Sequence, residues 1–146
     1  MNGNGVKQIS VFLENKSGRL AAVSKILGAN DINIRALCIA DTSDFGILRL
    51  IVNDPDRAYN VLKESGFTVS ATSVIAVQVP DRPGGLAEAL SILEEAGINI
   101  EYLYAFVTRM SGHALVILKV EDVDRAAELL GAGGVTVPRP EEVYAV

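Results

Sequence analysis

Polar and apolar positions alternate at the start of the chain. Ile9, Val11 and Leu13 interleave with Gln8, Ser10 and Phe12, the period of two that marks a β-strand. The same rhythm returns at Ile75, Val77 and Val79. After each strand the period lengthens: Leu20, Val23 and Leu27, then Leu90 and Leu93 behind Leu86, fall on one face of a helix. Asn30-Asp31 and Gly97 stand where those helices would stop, residues suited to a left-handed end. A strand is then expected from each Ile-Asn-Ile triplet, at 32–34 and 98–100. Turns follow near Asp41–Asp44 and Arg109–Gly112, and returning strands over Ile47–Val52 and Ala114–Val120. Asp54-Pro55 supplies an N-cap and a first-turn proline for a second helix through Val61 and Leu62; Asp122 caps its counterpart through Ala126 and Leu130. Short closing strands are expected at Phe67–Val69 and Val135–Val137.

These elements are one unit written twice. Shifted by 66 positions, 14–34 (ENKSGRLAAVSKILGANDINI) falls on 80–100 (PDRPGGLAEALSILEEAGINI) without a gap. Gly18 meets Gly84, Leu20 meets Leu86, and the two Ile-Asn-Ile triplets coincide. Asp56-Arg57-Ala58 reappears as Asp124-Arg125-Ala126, and Val74–Val77 has an echo at Val143–Val146. Self-similarity at a fixed spacing is the signature of duplicated architecture. The element order, βαββαβ twice, predicts an α+β chain of two ferredoxin-like units, 6–72 and 73–146, each an antiparallel sheet with its helices on one face. Ser70–Ser73 joins the units without a Pro/Gly/Ser linker, and Met1–Gly5 reads as a frayed tail.

The strands carry a further hint. A sheet covered on one face and wet on the other should alternate cleanly, yet 47–52 (ILRLIV) and 114–118 (ALVIL) hardly do. The second face is expected to be covered as well, by the other repeat or another subunit, which makes a homo-oligomer the expectation.

Composition removes several classes. Hydrophobic residues are 49% and charged residues 21% of 146, enough for a real core. The net charge of −5, with no Lys/Arg cluster, argues against nucleic-acid binding. One cysteine excludes an internal disulfide and fits a reducing compartment. No apolar run reaches the roughly 18 residues that span a bilayer, and the N-terminus lacks a leader pattern. A cytoplasmic protein with no membrane and no nucleic-acid partner is expected.

Chemistry concentrates in the two loops between first strand and first helix. Neither has the lysine and hydroxyl of GxxxxGK[ST], and GxGxxG is absent. What remains is a helix N-terminus, where unpaired N–H groups and the positive dipole end face outward. Glycine lets that backbone approach a ligand, and Pro83 stiffens the entry. A carboxylate fits such a mouth as well as a phosphate. Asn15 and Asn33 in one copy, Asp81 and Asn99 in the other, can flank it. The alternative stays open: Gly18 and Gly84 as turn residues, Asn33 and Asn99 as braces of a strand start.

The same residues resemble the ACT domain, whose signature joins a D/N-x-P-G-x-L loop, an amphipathic helix and a G-[IV]-N-I strand start. The second copy lies close to it; the first has Ser17 for proline and Asn30-Asp31 where the family often has glycine. The chain is similar to small stand-alone proteins built from a tandem ACT pair. That resemblance implies sheets paired side by side and an amino acid or related small molecule bound at the interface of paired units. It implies ligand contacts from Asn15, Gly18 and Asn33, and from Asp81, Gly84 and Asn99. Lys16, Ser17, Arg19, Leu20 and Ile34, with Arg82, Pro83, Gly85, Leu86 and Ile100, complete the candidate set.

Other features carry less. His113 has no cysteine or acidic cluster at ligand spacing, so no metal site and no cofactor is expected. Cys38, in an apolar strand without a histidine in its repeat, reads as a buried inert thiol. Tyr102, Tyr104 and Phe106 share a strand face and read as core or interface packing, the alternative being tyrosine hydroxyls that line a ligand pocket. Asp122–Asp124 reads as a helix start and Glu141-Glu142 as a solvated tail. No carboxylate pair or Ser/His/Asp set is placed for catalysis. Arg19 and Arg82 near the loops admit an acylphosphatase reading, and Arg49 alone on its strand disfavours an RNA-binding sheet. The expectation is a non-catalytic regulatory protein that binds an amino acid and reports to a partner enzyme. The alternative is a structural module docking on a separate enzyme.

Overall fold

The computed structural model describes residues 4–41, 44–110 and 112–146. Its elements run β1 (Val6–Glu14), α1 (Arg19–Ala29), β2 (Ile34–Asp41), β3 (Phe45–Val52), α2 (Pro55–Glu64) and β4 (Thr68–Pro80). Then come α3 (Gly85–Glu95), β5 (Tyr102–Ala105), β6 (His113–Lys119), α4 (Val123–Ala132) and α5 (Pro140–Tyr144). The chain divides into two compact units, Lys7–Thr72 and Ser73–Val146, the latter also taking the residues up to Val6. It is a mixed α+β fold of antiparallel strands with helices, a tandem of ferredoxin-like units.

The duplication is written in how the helices end. Helices α1 to α4 close with the same pair of hydrogen bonds around a left-handed residue, the Schellman motif. In α1, Ile32 N–H donates to Leu27 C=O at 2.9 Å and Asp31 N–H to Gly28 C=O at 3.1 Å. In α3, Ile98 donates to Leu93 at 2.9 Å and Gly97 to Glu94 at 2.9 Å. Phe67 to Leu62 and Val135 to Leu130 repeat the longer bond in α2 and α4. The left-handed positions are Asp31, Gly66, Gly97 and Gly134. Each motif thus sets a leucine against an apolar residue five positions on, and all four pairs lie in the helix-side cores.

In the first unit the strand order is β2-β3-β1-β4, with β1 and β2 both antiparallel to β3. Ile9, Val11, Leu13, Leu48, Leu50 and Val52 face α1 and α2 and enclose Val23, Leu27, Ala58 and Leu62. The opposite face is mixed. Gln8, Ala36 and Ile51 are fully buried, whereas Phe12 and Phe45 stack at 5.0 Å and stay 46% and 44% exposed beside Ile47. Cys38 pairs with Arg49 on that face and is half-buried, so the thiol is not the enclosed one the apolar strand suggests.

In the second unit the order is β4-β6-β5, and Ile75, Val77, Val79, Val116 and Leu118 pack on α3 and α4. Here the far face is buried within a single chain: Val74, Ala76, Leu115 and Ile117 are enclosed, as is Tyr104. Tyr102 and Tyr104 stack at 6.5 Å on that face.

Four expectations are corrected. The closing strand at Val135–Val137 shrinks to a single bridge between Thr136 and Gln78. Val143–Val146 does not repeat Val74–Val77 as a strand, because Pro140 at the first turn and Glu142, accepting from Arg139 N–H at 2.9 Å, start helix α5, which buries Val143. The Ile-Asn-Ile triplets start ahead of their strands: β2 begins at Ile34, the last residue of the first triplet, and β5 only at Tyr102, beyond the second. Gly5 is packed rather than frayed: a Cβ there would lie 2.4 Å from Ser73 Oγ. Residues 1–3, the tip of the first hairpin at 42–43, and Ser111 in the second lie outside the described residues.

Candidate functional site

Two helix mouths recur in each unit, those of α1 and α2 in the first and of α3 and α4 in the second, and they are built differently. In α2 and α4 an aspartate plugs the mouth. Asp54 Oδ1 accepts from Arg57 N–H at 3.3 Å, and Asp122 Oδ1 accepts from Arg125 N–H at 3.0 Å. A carboxylate is therefore already seated on those free amides. In α1 and α3 the cap position is Gly18 or Gly84, left-handed at φ +89° and +84°, and no side chain caps the helix. The second and third helical residues, Leu20 and Ala21 or Leu86 and Ala87, have no intrahelical acceptor for their N–H groups. These two mouths have the positive dipole end with no side chain seated on the free N–H groups; the one acidic residue in either first turn, Glu88 of α3, meets Arg82 instead.

The loops before them are congruent in backbone. Lys16 N–H donates to Glu14 C=O at 2.8 Å and Arg82 N–H to Pro80 C=O at 2.9 Å. Arg19 N–H reaches Lys16 C=O, as Gly85 N–H reaches Arg82 C=O; Ala22 N–H reaches Gly18 C=O, as Glu88 N–H reaches Gly84 C=O. A proline at position 83 or a serine at 17 leaves the same turn.

The two glycines of the second loop do different things. Gly84 faces open space and is glycine because of its φ. Gly85 is buried, and a Cβ there would stand 2.1 Å from the Pro80 carbonyl oxygen. The close approach it permits is to the protein's own backbone, which corrects the expectation that both glycines open the loop to a ligand.

Charges around the loops are partnered unequally. At the second, Arg82 reaches both oxygens of Glu88 at 3.0 and 3.3 Å, and Arg109 reaches Asp81 Oδ2 at 2.5 Å. At the first, Lys16 stands 3.7 Å from Glu14, and the Arg19 guanidinium lies 5.1 Å over the Phe67 ring with its buried Nε unpartnered. Arg109 and Glu88 escaped sequence reasoning, because only the β5–β6 hairpin and the first turn of α3 bring them to the loop.

The asparagines of the triplets sit apart from the nearby cavities. A cavity of about 70 Å³ at the first loop is lined by Leu13, Asn15, Lys16, Arg19, Leu20, Ile39 and Phe45 among others, without Asn33. One of about 170 Å³ behind the second loop is lined by Pro80, Gly85, Glu88, Ile92, His113 and Thr136 among others, without Asn99. Asn33 N–H donates to Asn53 Oδ1 at 2.9 Å, bracing the start of β2. Ile34 and Ile100 pack against the helix-side cores. The largest of the three cavities described, about 530 Å³, lies away from the loops beside Lys7, Asp56 and Tyr59. Its two charges satisfy one another at 2.5 Å. Among the described residues no group of three or more His, Cys, Asp or Glu is placed to hold a metal ion. No described helix is long and apolar enough to cross a membrane.

Comparison with known proteins agrees with this architecture. The Bacteroides thetaiotaomicron protein BT0572 is 42% identical over the whole of both chains, and its crystal structure superimposes with a TM-score of 0.93. The regulatory subunit of aspartate kinase from Thermus thermophilus, in its ligand-free form, shares the fold. It is 17% identical, with a TM-score of 0.63 over 90% of this chain and 94% of that one. The corresponding subunit from Thermus flavus gives a TM-score of 0.60 at 15% identity, covering 91% and 94%. None of the curated proteins compared with the chain matches it. The sequence profile of the ACT domain pair matches residues 4–135, and the chain belongs to that family.

Proposed function

We propose that this chain is a non-catalytic regulatory protein that binds an amino acid or related carboxylate-bearing small molecule at the open helix mouths of its ACT units. Binding at the interface of paired ACT units favours one of their arrangements, and a separate partner enzyme reads that change. The observation that carries the reading is the contrast between mouths. Asp54 and Asp122 seat a carboxylate on α2 and α4, whereas α1 and α3 begin at left-handed Gly18 and Gly84 with no side-chain cap. An external carboxylate completes at the open pair what the protein's own aspartates do at the closed pair.

Calorimetric titration of the folded chain with each of the twenty amino acids tests this. Leu86→Glu and Leu20→Glu place a fixed negative charge in the first turn, where it suits the helix and opposes an anionic ligand. At least one amino acid should bind the wild type, and the substitutions should weaken it with the fold intact. Silence from all twenty removes the reading.

A second reading has its own observation. Phe12, Phe45 and Ile47 form an exposed apolar patch on the first sheet, the kind of surface that marks a docking site. It supports a structural module that oligomerises or docks on an enzyme without sensing a ligand. Sedimentation of wild type against Phe45→Glu separates the two. A strict monomer for both, with amino-acid binding retained, leaves the first reading standing alone.

A further inference from the structure

We propose that Arg109 is a specificity-determining residue of the second loop, which takes a zwitterionic α-amino acid by insertion into the Arg109–Asp81 ion pair. The proposal rests on the amino-acid reading above and assigns that ligand's two charges to named partners. Arg109 lies in the hairpin between β5 and β6, and its Nη2 meets Asp81 Oδ2 at 2.5 Å. The two side chains are 69% and 43% exposed, so both stay hydrated when they part. An exposed pair of this kind is held only weakly and can be exchanged for a ligand's charges.

At the same loop Arg82 Nη2 reaches both oxygens of Glu88, while Arg109 Nη2 meets Asp81 through Oδ2, which makes Asp81 the loop's acceptor for an ammonium group. Arg109 is the guanidinium that can move from Asp81 to the ligand's carboxylate, a planar fork suited to that geometry. The uncapped N–H groups of Leu86 and Ala87 lie at the same loop and offer the carboxylate further donors. A ligand with only one charge would leave either Asp81 or Arg109 unpaired, so both charges are demanded. The first loop lacks the acidic half of this device: Asn15 stands at the position of Asp81. The two loops therefore differ in selectivity, although their backbones agree.

The test uses the full chain with Leu20→Glu in place to silence the first loop. Each of the twenty amino acids is titrated by calorimetry. The strongest is then compared with its amine lacking the carboxylate and its acid lacking the amine. Arg109→Ala should weaken the amino acid about 10- to 100-fold, the scale of one charge-assisted contact, and leave the amine bound no more weakly, since Asp81 is then freed of its partner. Arg109→Lys should recover part of the loss. Asp81→Asn should weaken the amino acid and spare the deaminated acid. Thermal midpoints equal to the parent's confirm that the variants fold. Unchanged or tighter amino-acid binding by Arg109→Ala overturns the assignment of Arg109 while leaving the amino-acid reading intact. No binding by either the wild type or the Leu20→Glu parent overturns both, and binding lost only in the parent places the ligand at the first loop and overturns this proposal alone.

Discussion

Replacing Gly85 with alanine adds one methyl group at the first residue of α3. The added Cβ would lie 2.1 Å from the Pro80 carbonyl oxygen and 3.1 Å from its carbonyl carbon. An ordinary contact between carbon and oxygen is about 3.3 Å or more, so roughly 1 Å of movement is required. The obstacle is backbone. That same oxygen accepts from Arg82 N–H at 2.9 Å, so the whole turn must shift with it. Overpacking of this kind costs about 1–3 kcal/mol. The gain in helix propensity from glycine to alanine offsets up to about 1 kcal/mol of it. A net loss of about 1–2 kcal/mol is expected, which at a urea slope of about 2 kcal/mol/M moves the unfolding midpoint of the second unit down by roughly 0.5–1 M. The first loop supplies a control. Arg19 occupies the aligned position with a full side chain, so Arg19→Gly should also destabilise, by about 1–2 kcal/mol, through lost helix propensity and the lost contact of its guanidinium with the Phe67 ring. Urea unfolding followed by circular dichroism, with amide exchange to assign each unit, reads both. An unchanged or raised midpoint for Gly85→Ala would show that the loop backbone is not held against α3 as described.

Two further substitutions probe the helix ends. Asp122→Ala removes the carboxylate that accepts from Arg125 N–H and should cost about 0.5–2 kcal/mol by denaturant unfolding; a loss below about 0.3 kcal/mol would contradict the plugged mouth. Asp31 holds φ +59° where the second repeat has Gly97, so Asp31→Gly relieves a left-handed cost of about 1–2 kcal/mol. Greater unfolded-chain entropy cancels part of that, and a net gain near 0.5 kcal/mol in thermal unfolding is expected, with a clear loss refuting it.

What could be read in the sequence was local. Asp54-Pro55 and Asp122 announce their helices because the cap and the residue it caps are three positions apart. Leu93 and Gly97-Ile98 announce a helix end for the same reason. The duplication was legible because both copies reuse these short patterns. Residues meeting through space were not. Gly85 and Gly84 are neighbours of one type, and only the nearness of Pro80 C=O separates their tasks. Arg109 meets Asp81 through a hairpin whose register no short pattern states. Helix α5 did carry a signal, Pro140 with Glu142 three residues after Arg139, but the echo of Val74–Val77 in Val143–Val146 pointed the other way. The burial of Cys38 was misjudged because apolar neighbours along a strand do not say which face is covered.

The central claim is that the mouths of α1 and α3 are open to a carboxylate while those of α2 and α4 are filled. Amide chemical shifts measured while an amino acid is titrated into the ¹⁵N-labelled chain test it most directly. The account predicts saturable shifts at Leu86 and Ala87, or at Leu20 and Ala21, with Arg57 and Arg125 unmoved behind their aspartates. Saturable binding that leaves all four open-mouth amides in place would contradict it.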